Sequence, residues 1–244
     1  MVAHRGASGL APENTLAAFH LAVQLGAPAV ECDVHLSADG IPVVIHDATL
    51  DRTTNGTGEV FARSLQGLRG LDAGIWFGPQ FAGERLPTLD ETLAVCAGRA
   101  RLFVELKRGG GPALVEAALH AIAQAPQTPV AVISFGPDEV REVARLRPDL
   151  PLGFLIGRQP ATQAGPQRAT EMARELGAGF LSPEHSVVDA SFVDAARAAA
   201  LPLSVWTVDD PARMRELADL GVDAITTNRP DVALELFAGR ARPG

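Results

Sequence analysis

Residues 30–47 read VECDVHLSADGIPVVIHD, and this stretch decides how the chain folds. Two apolar runs flank a short polar connection that contains Asp39 and Gly40, a dipeptide typical of tight hairpin turns. Parallel neighbours need a crossover of a dozen or more residues, and only about five residues separate these runs. The stretch therefore predicts two antiparallel strands.

Strands and helices alternate along the rest of the chain. Short apolar or β-branched runs typical of strands occupy residues 1–4, 28–34, 42–46, 101–107, 129–134, 151–156, 179–182, 202–208 and 223–227. Between most of them apolar residues recur at helical spacing, as in Leu16, Phe19 and Val23. This alternation predicts an α/β fold with a parallel sheet. Once the return strand of the hairpin is set aside, eight strands remain, which favours a (β/α)8 TIM barrel over an open doubly wound sheet.

Residues 48–87 interrupt the alternation. They contain TTNGTG and LDAGIWFGPQF, with several glycines and little periodicity. Because about 40 residues rarely fold alone, we expect one barrel domain over residues 1–244 with a small insertion on its rim at about 48–87. We expect the tail AGRARPG, residues 238–244, to be frayed.

Composition excludes several classes of protein. The chain has 244 residues, of which 47% are apolar and 20% charged, enough for a large core. Its net charge of −8 argues against nucleic-acid binding. Cys32 and Cys96 lack metal-site spacing, so we expect reduced, buried thiols in a cytoplasmic protein. No apolar run reaches ~18 residues, and a polar cluster begins at residue 4, so we expect neither stable membrane insertion nor a secretory leader.

Charged and aromatic residues follow the predicted strands. Barrel enzymes place their active residues at the C-terminal ends of strands. Those ends carry His4, Arg5, Glu31, Asp33, Glu105, Lys107 and Trp206. Folding the hairpin back also brings His46 level with Glu31 or Asp33. We therefore expect two histidines, three carboxylates and two cations at one mouth.

Three carboxylates in one mouth need compensation. Two of them ~4 Å apart repel by roughly 4 kcal/mol at an effective dielectric of 20. Glu31, Asp33 and Glu105 must therefore either take raised pKa values or hold a cation. An all-oxygen site suits a hard divalent ion, Mg²⁺ or Ca²⁺, with Mn²⁺ as a further candidate. The alternative is that the acids merely pair with Arg5 and Lys107.

The same residues lie in motifs that resemble a known family. In chain order these are HRG (4–6), PENT (12–15), VECDVHLSADGIPVVIHD (30–47), DRTTNGTG (51–58), LDAG (71–74), ERLPTLDETL (84–93), VELK (104–107), WTV (206–208) and GVDAITTNRPD (221–231). Over essentially its whole length the chain resembles the glycerophosphodiester phosphodiesterases. The resemblance implies a TIM barrel that hydrolyses compounds such as glycerophosphocholine and glycerophosphoethanolamine to sn-glycerol 3-phosphate and an alcohol.

The resemblance also implies a role for each residue. By this likeness the metal ligands are Glu31, Asp33 and Glu105, the general acid/base pair is His4 and His46, and the phosphate-binding cations are Arg5 and Lys107. We separately expect Trp206 to line the pocket against the glycerol group, the alternative being a tryptophan packed within the barrel. The attacking group is either the substrate's own 2-hydroxyl or water.

Three residues raise separate expectations. Asp209 departs from the family pattern, in which Asn is usual after WTV. Glu13 and Asn14 precede the first helix, so we expect them to cap it. The resemblance adds a place near the substrate for Glu13.

Other functions remain open. A phospholipase-like relative would act on intact lipids through an apolar rim, for which the insertion offers Ile75, Trp76, Phe77 and Phe81, residues that we instead expect in the insertion's core. A non-catalytic phosphoglycerol-binding module would lack a histidine or a ligand, and all are present. A metal-dependent carbonyl enzyme could share the fold. We expect a small-molecule substrate and a monomer or homodimer.

Overall fold

The computed structural model describes residues 1–238. Its strands are β1 (Val2–Ala3), β2 (Ala29–Leu36), β3 (Pro42–Val44), β4 (Arg101–Leu106), β5 (Val130–Ser134), β6 (Leu152–Ile156), β7 (Phe180–Pro183), β8 (Ser204–Val205) and β9 (Ala224–Thr227). Its α-helices are α1 (Leu16–Gln24), α2 (Leu65–Arg69), α3 (Leu89–Cys96), α4 (Gly111–Gln124), α5 (Pro137–Leu146), α6 (Arg158–Glu175), α7 (Ala190–Ala198), α8 (Pro211–Leu220) and α9 (Pro230–Phe237). Residues 239–244, most of the tail expected to be frayed, lie outside the described residues.

The strands form a barrel. Within residues 1–238 the hydrogen-bonded order is β7-β6-β5-β4-β2-β1-β9-β8, and every pair along this path is parallel. Isolated parallel bridges from Leu181 to Leu203 and from Glu184 to Trp206 link the two ends of the path. The sheet is thus a nearly closed ring with helices between its strands, which confirms the predicted (β/α)8 barrel.

The strand outside this path is the return arm of the hairpin. β3 pairs antiparallel with β2, with Val34 opposite Val44 and Leu36 opposite Pro42, as the short connection predicts. Gly40 turns the chain at a φ of 76°, in the left-handed region that favours glycine. Beyond β3, the Ile45 N–H donates to the Asp33 carbonyl at 3.0 Å. This register puts Ile45, not His46, opposite Asp33. His46 therefore lies one residue beyond the position expected for it.

The hydrophobic core fills the barrel and the layer beneath its helices. Phe19, Leu102, Leu181 and Met214 are fully buried. β2 is buried from Ala29 to Val34 because the helices cover one of its faces and the barrel interior the other. Both cysteines are buried and free, as predicted. Among the described residues, no helix combines the length and apolar character needed to cross a bilayer.

The chain between β3 and α3 forms a compact segment with its own core. It contains α2 and short 3₁₀ turns at Val60–Ala62 and Pro79–Phe81. Ile45, Leu50, Val60 and Leu68 pack together there, separate from the barrel core. Ile75 and Trp76 are 44% and 39% exposed, so the expectation that they lie in this core is wrong. The division into one domain with an insertion at about 48–87 stays a prediction.

Candidate active site

The predicted residues meet at the C-terminal mouth of the barrel. A cavity of about 150 Å³ opens there, with walls that include His4, Arg5, Glu31, His46, Glu105 and Trp206. Asp33 lies beneath this lining and is fully buried, and Lys107 is buried against it. Groups as far apart in the chain as His4 and Trp206 thus share one small volume.

A sharp turn after β1 aims two of these side chains. Arg5 and Gly6 have positive φ values of 52° and 81°. A Cβ atom on Gly6 would lie 2.6 Å from the Ala18 backbone carbon, so only glycine fits this turn. The Arg5 N–H then donates to Glu31 Oε2 at 2.9 Å. Because the strand ends at this turn, His4 and Arg5 both reach the mouth.

Three buried carboxylates form a tight cluster. Oxygens of Glu31, Asp33 and Glu105 lie within 4.8 Å of one another. Glu31 Oε1 is buried with no hydrogen-bond partner in the described part of the chain. Asp33 Oδ1 also lacks a hydrogen bond of good geometry, although Lys107 Nζ lies 2.5 Å away as an ion pair. Two buried carboxylate oxygens are therefore left with unused lone pairs.

The pKa values of the three acids shift in different directions. Burial, with the charges of Asp33 and Glu105, raises the pKa of Glu31 well above its ordinary value. Burial, with the charge of Asp33, raises the pKa of Glu105 to about 7. Burial opposes ionisation of Asp33 too, but Lys107 and Arg5 outweigh it and lower its pKa. The cluster therefore lacks positive charge.

Two cations pair with these acids without neutralising them. Lys107 Nζ lies 2.5 Å from Asp33 Oδ1 and 2.6 Å from Glu105 Oε1. Arg5 Nε lies 3.1 Å from Asp33 Oδ2, while Arg5 NH1 donates to Glu13 at 2.8 Å. Two positive groups thus face three acids, and one of them is shared with Glu13. Pairing alone leaves an uncompensated acid.

The donor set fits a hard divalent cation. All three carboxylates are buried, supply oxygen ligands and include oxygens without a hydrogen bond. Raised pKa values in such a cluster are what a bound dication would reverse, because it favours the ionised acids. The geometry thus suits a divalent metal held by Glu31, Asp33 and Glu105.

The two histidines are held in the same way. His4 Nδ1 bonds to Asn228 Oδ1 at 2.7 Å, and His46 Nδ1 bonds to Asp47 Oδ1 at 2.6 Å. Both partners are acceptor oxygens, so each Nδ1 carries the proton and each neutral ring keeps its lone pair on Nε2. His4 Nε2 lies 3.9 Å from Glu31 Oε2.

Burial favours the neutral form of both rings. It lowers the pKa of His4 to about 4, with a further contribution from the positive charge of Arg5. It also lowers the pKa of His46, even though the negative charge of Asp33 acts in the opposite direction. His35, which faces the same side, donates from Nε2 to the His46 carbonyl at 3.0 Å and so supports the backbone that carries His46.

An aromatic pair forms another wall of the cavity. The Trp206 indole N–H donates to the Ser182 carbonyl at 2.8 Å. Its ring stands edge-to-face with Phe135 at a centroid distance of 5.3 Å. These contacts fix the indole at the mouth, where an apolar face borders the charged groups.

Glu13 and Asn14 make contacts other than the helix caps expected of them. Thr15, not Glu13 or Asn14, caps α1, so that expectation is wrong. Asn14 Nδ2 instead donates to Asp33 Oδ2 at 2.7 Å, and Glu13 binds both Arg5 and Arg52. Both lie in the PENT motif, so the resemblance points to them as functional residues, but their partners are remote in the chain. Only the fold reveals these contacts.

Comparisons with known proteins agree with this site. The Glycerophosphoryl diester phosphodiesterase family matches residues 4–232. A glycerophosphodiester phosphodiesterase of Caldanaerobacter subterraneus is 38% identical, over 97% of this chain and 96% of its own length. A second, from Bacillus subtilis, is 34% identical over 95% and 84% of the two chains.

Solved structures give the same result. A phosphodiesterase of Oleispira antarctica in complex with the product sn-glycerol-3-phosphate superposes with a TM-score of 0.90 at 33% identity, covering 97% of this chain and 95% of that one. A glycerophosphodiester phosphodiesterase of Agrobacterium tumefaciens has a TM-score of 0.79 at 36% identity, with 95% and 96% covered. The family expected from the motifs is confirmed, and the chain belongs to the glycerophosphoryl diester phosphodiesterase family.

Proposed function

We propose that this chain hydrolyses glycerophosphodiesters with small head groups to sn-glycerol 3-phosphate and an alcohol. Its family and the product bound by the Oleispira antarctica relative support this substrate class. The observation that carries the proposal is the pair of histidines, each fixed through Nδ1, which share one cavity with Arg5 and with two of the three clustered carboxylates, Glu31 and Glu105. A phosphodiester needs these elements: a base, an acid and positive charge.

His4 and His46 divide the proton transfers. His46 is bonded to the Asp47 carboxylate, which stabilises the imidazolium that forms when Nε2 takes up a proton from solvent, so His46 gives this Nε2 proton to the leaving alkoxide. His4 is bonded to a neutral amide and is more deeply buried, so it stays neutral and accepts the proton of the attacking hydroxyl at Nε2. The attacker is the substrate's 2-hydroxyl or water, and either requires the same two roles.

Positive charge opposes the growing negative charge on the phosphate. Arg5 lines the cavity and can donate to phosphate oxygens, and the buried ammonium of Lys107 adds charge behind the carboxylates. A divalent ion held by Glu31, Asp33 and Glu105, Mg²⁺ or Ca²⁺ with Mn²⁺ as a further candidate, would supply Lewis-acid charge stabilisation there. Trp206 packs against the glycerol group.

The test is metal-dependent turnover. Incubation with glycerophosphocholine or glycerophosphoethanolamine should release sn-glycerol 3-phosphate, EDTA should stop the release, and Mg²⁺, Ca²⁺ or Mn²⁺ should restore it. Full activity after exhaustive EDTA treatment would contradict the metal role. The ion that restores the highest kcat identifies the cofactor preference.

Variants assign the histidines. H4A and H46A should keep the circular dichroism spectrum of the native protein and lose turnover by at least about 10²-fold, the contribution of a positioned acid or base. The matched control is H120A, because His120 is exposed on α4. A near-normal kcat in either active-site variant rejects the assignment.

A second candidate is a phospholipase-like activity on intact lipids. The exposed side chains of Ile75 and Trp76 on the insertion favour it. Release of head group from phosphatidylcholine vesicles, compared with glycerophosphocholine at equal concentration, separates the two. Turnover of the water-soluble diester alone supports the first proposal.

Composition and burial also bear on the cellular setting and on assembly. The net charge of −8 supports a small-molecule substrate over a nucleic acid. The buried free thiols support action in the cytoplasm. The oligomeric state, monomer or homodimer, stays a prediction that size-exclusion chromatography with light scattering would test.

A further inference from the structure

A hydrogen-bonded chain runs from the barrel rim to His4. Asp209 Oδ2 accepts a hydrogen bond from Asn228 Nδ2 at 2.7 Å, and Asn228 Oδ1 faces His4 Nδ1 at 2.7 Å. Asp209 Oδ1 meanwhile accepts from the Asn228 backbone N–H at 2.8 Å and from the Thr227 hydroxyl at 2.9 Å. The loop after β8 and the end of β9 are thereby joined behind the imidazole.

Asp209 determines the donor-to-acceptor direction of this series of hydrogen bonds. A carboxylate offers acceptors alone, so the Asn228 NH₂ must face Asp209 and its oxygen must face His4. Ser8 also donates to Asn228 Oδ1 at 2.8 Å, but a hydroxyl can equally accept, so Ser8 permits either amide orientation. The orientation of the amide then sets which imidazole nitrogen carries the proton.

We propose that Asp209 is a positioning residue that fixes His4 as the Nδ1–H tautomer through Asn228, so that the Nε2 lone pair faces the cavity. This inference rests on the proposed base role of His4. It gives a function to the residue that the resemblance marks as a departure from the family pattern. Asp209 itself touches no reacting group.

The substitution D209N replaces one carboxylate oxygen by NH₂ and should reverse the direction of these hydrogen bonds. The new amide keeps its oxygen where Asp209 Oδ1 accepts two donors, because the opposite rotation would set NH₂ against the backbone N–H of Asn228. Its NH₂ then meets the NH₂ of Asn228, two donors in contact. Rotation of the Asn228 amide removes this conflict and presents NH₂ to His4 Nδ1. His4 must then carry its proton on Nε2, where the base is needed.

The exchange D209N/N228D should restore the original direction. The amide at position 209 then donates to a carboxylate at 228, whose second oxygen accepts from His4 Nδ1–H. An Asn at position 209 is therefore compatible with the active tautomer when position 228 offers a carboxylate. A purely structural role for Asp209 gives no reason for this specific rescue.

The test reads the tautomer directly. Two-bond ¹H–¹⁵N correlation spectra of the full-length, Mg²⁺-loaded protein report which His4 nitrogen is protonated, independently of turnover. We expect Nδ1–H in the native protein and in D209N/N228D, and Nε2–H in D209N. For glycerophosphocholine we expect D209N to lower kcat by about 10- to 100-fold with little change in KM, and the exchange to recover most of it.

The neighbouring residue provides the matched control. Asp210 caps α8 by accepting from the Ala212 N–H at 3.0 Å, and Asn is an equally good cap, so D210N should leave tautomer and kcat unchanged. Nδ1–H in D209N, or an exchange variant no more active than D209N, overturns the proposal. If D209N shifts the proton to Nε2 while kcat is unaffected, the tautomer assignment stands and the base role of His4 fails. This outcome separates the positioning role of Asp209 from the proposed base role of His4.

Discussion

Arg52 grips Glu13 with two parallel hydrogen bonds, from NH1 to Oε2 and from NH2 to Oε1, both 2.9 Å long. The same guanidinium donates to Asp47, the partner of His46, at 2.7 Å from Nε. Glu13 in turn accepts from Arg5. Arg52 therefore joins the loop that carries Arg5, the proposed phosphate-binding cation, to Asp47, the hydrogen-bond partner of His46.

R52Q should therefore lower activity more than stability. We expect kcat/KM to fall about tenfold, because Arg5 and Asp47 both lose a fixed partner, while Tm changes little because Arg52 is 44% exposed and such pairs contribute only ~0–1 kcal/mol. The control is R69Q, which breaks the comparably exposed pair between Arg69 and Glu91. Equal losses of activity in both variants would refute the link.

E31Q should separate metal binding from stability. Gln keeps an oxygen for the Arg5 N–H and replaces the unpartnered Oε1 by NH₂. We expect the Kd for Mg²⁺, measured by calorimetry, to rise at least about tenfold because one anionic ligand is lost.

The same change should stabilise the metal-free protein in EDTA or leave its stability unchanged, because it removes a buried acid that repels Asp33 and Glu105. E116Q, on the exposed side of α4, is the control. An unchanged Kd would remove Glu31 from the ligand set.

His4 should make stability depend on pH. Burial lowers its folded-state pKa to about 4, against about 6.5 in the unfolded chain, so only the unfolded chain takes up a proton between these values. The contribution of neutral His4 to the free energy of unfolding is present above pH 6.5 and is lost as the pH falls towards 4. Urea unfolding in EDTA should therefore show that the native protein loses about 2 kcal/mol more than H4N between pH 7 and pH 5. Parallel pH profiles would contradict the buried neutral imidazole.

Trp206 should affect substrate binding more than chemistry. W206A removes the aromatic wall and should raise KM for glycerophosphocholine several-fold with a smaller change in kcat, because the indole touches no transferring proton. W206F keeps a ring but loses the hydrogen bond to the Ser182 carbonyl, so we expect an intermediate KM. A loss confined to kcat in W206A would exclude the proposed contact with glycerol.

Gly6 should tolerate no side chain. G6A combines a left-handed backbone with a Cβ only 2.6 Å from the Ala18 backbone, so we expect a loss of about 3 kcal/mol or more in the free energy of unfolding. G26A has a similar φ of 87° with nothing within 4 Å, and should lose only about 1 kcal/mol. Equal losses would show that the close approach to α1 is unimportant.

Much of the barrel could be predicted because it depends on local chemistry. Alternating strand and helix patterns identified β1 to β9 to within a few residues, and the short connection around Gly40 was enough to make β3 antiparallel. Side chains two apart on one strand share a face, so Glu31 with Asp33, and Glu105 with Lys107, could be paired without coordinates.

The packing of the insertion and the contacts that support the site were harder to predict from the sequence. Exposure of Ile75 and Trp76 could not be predicted, because apolar residues in an aperiodic segment do not reveal which of them pack. The contacts of Asn14 with Asp33 and of Arg52 with Glu13 join segments that are distant in the chain. A motif marks such residues as important, but their partners depend on how loops fold over the mouth.

By itself, the sequence determined which ionisable groups this barrel carries and on which strand ends they lie, because strand periodicity and turn chemistry are local. Only the tertiary structure decided their protonation and direction: which acids have raised pKa values, which nitrogen of His4 and His46 is held, and that Asp209 lies behind Asn228. Burial, electrostatic interaction and hydrogen-bond direction depend on distances between groups far apart in the chain, and folding alone sets those distances.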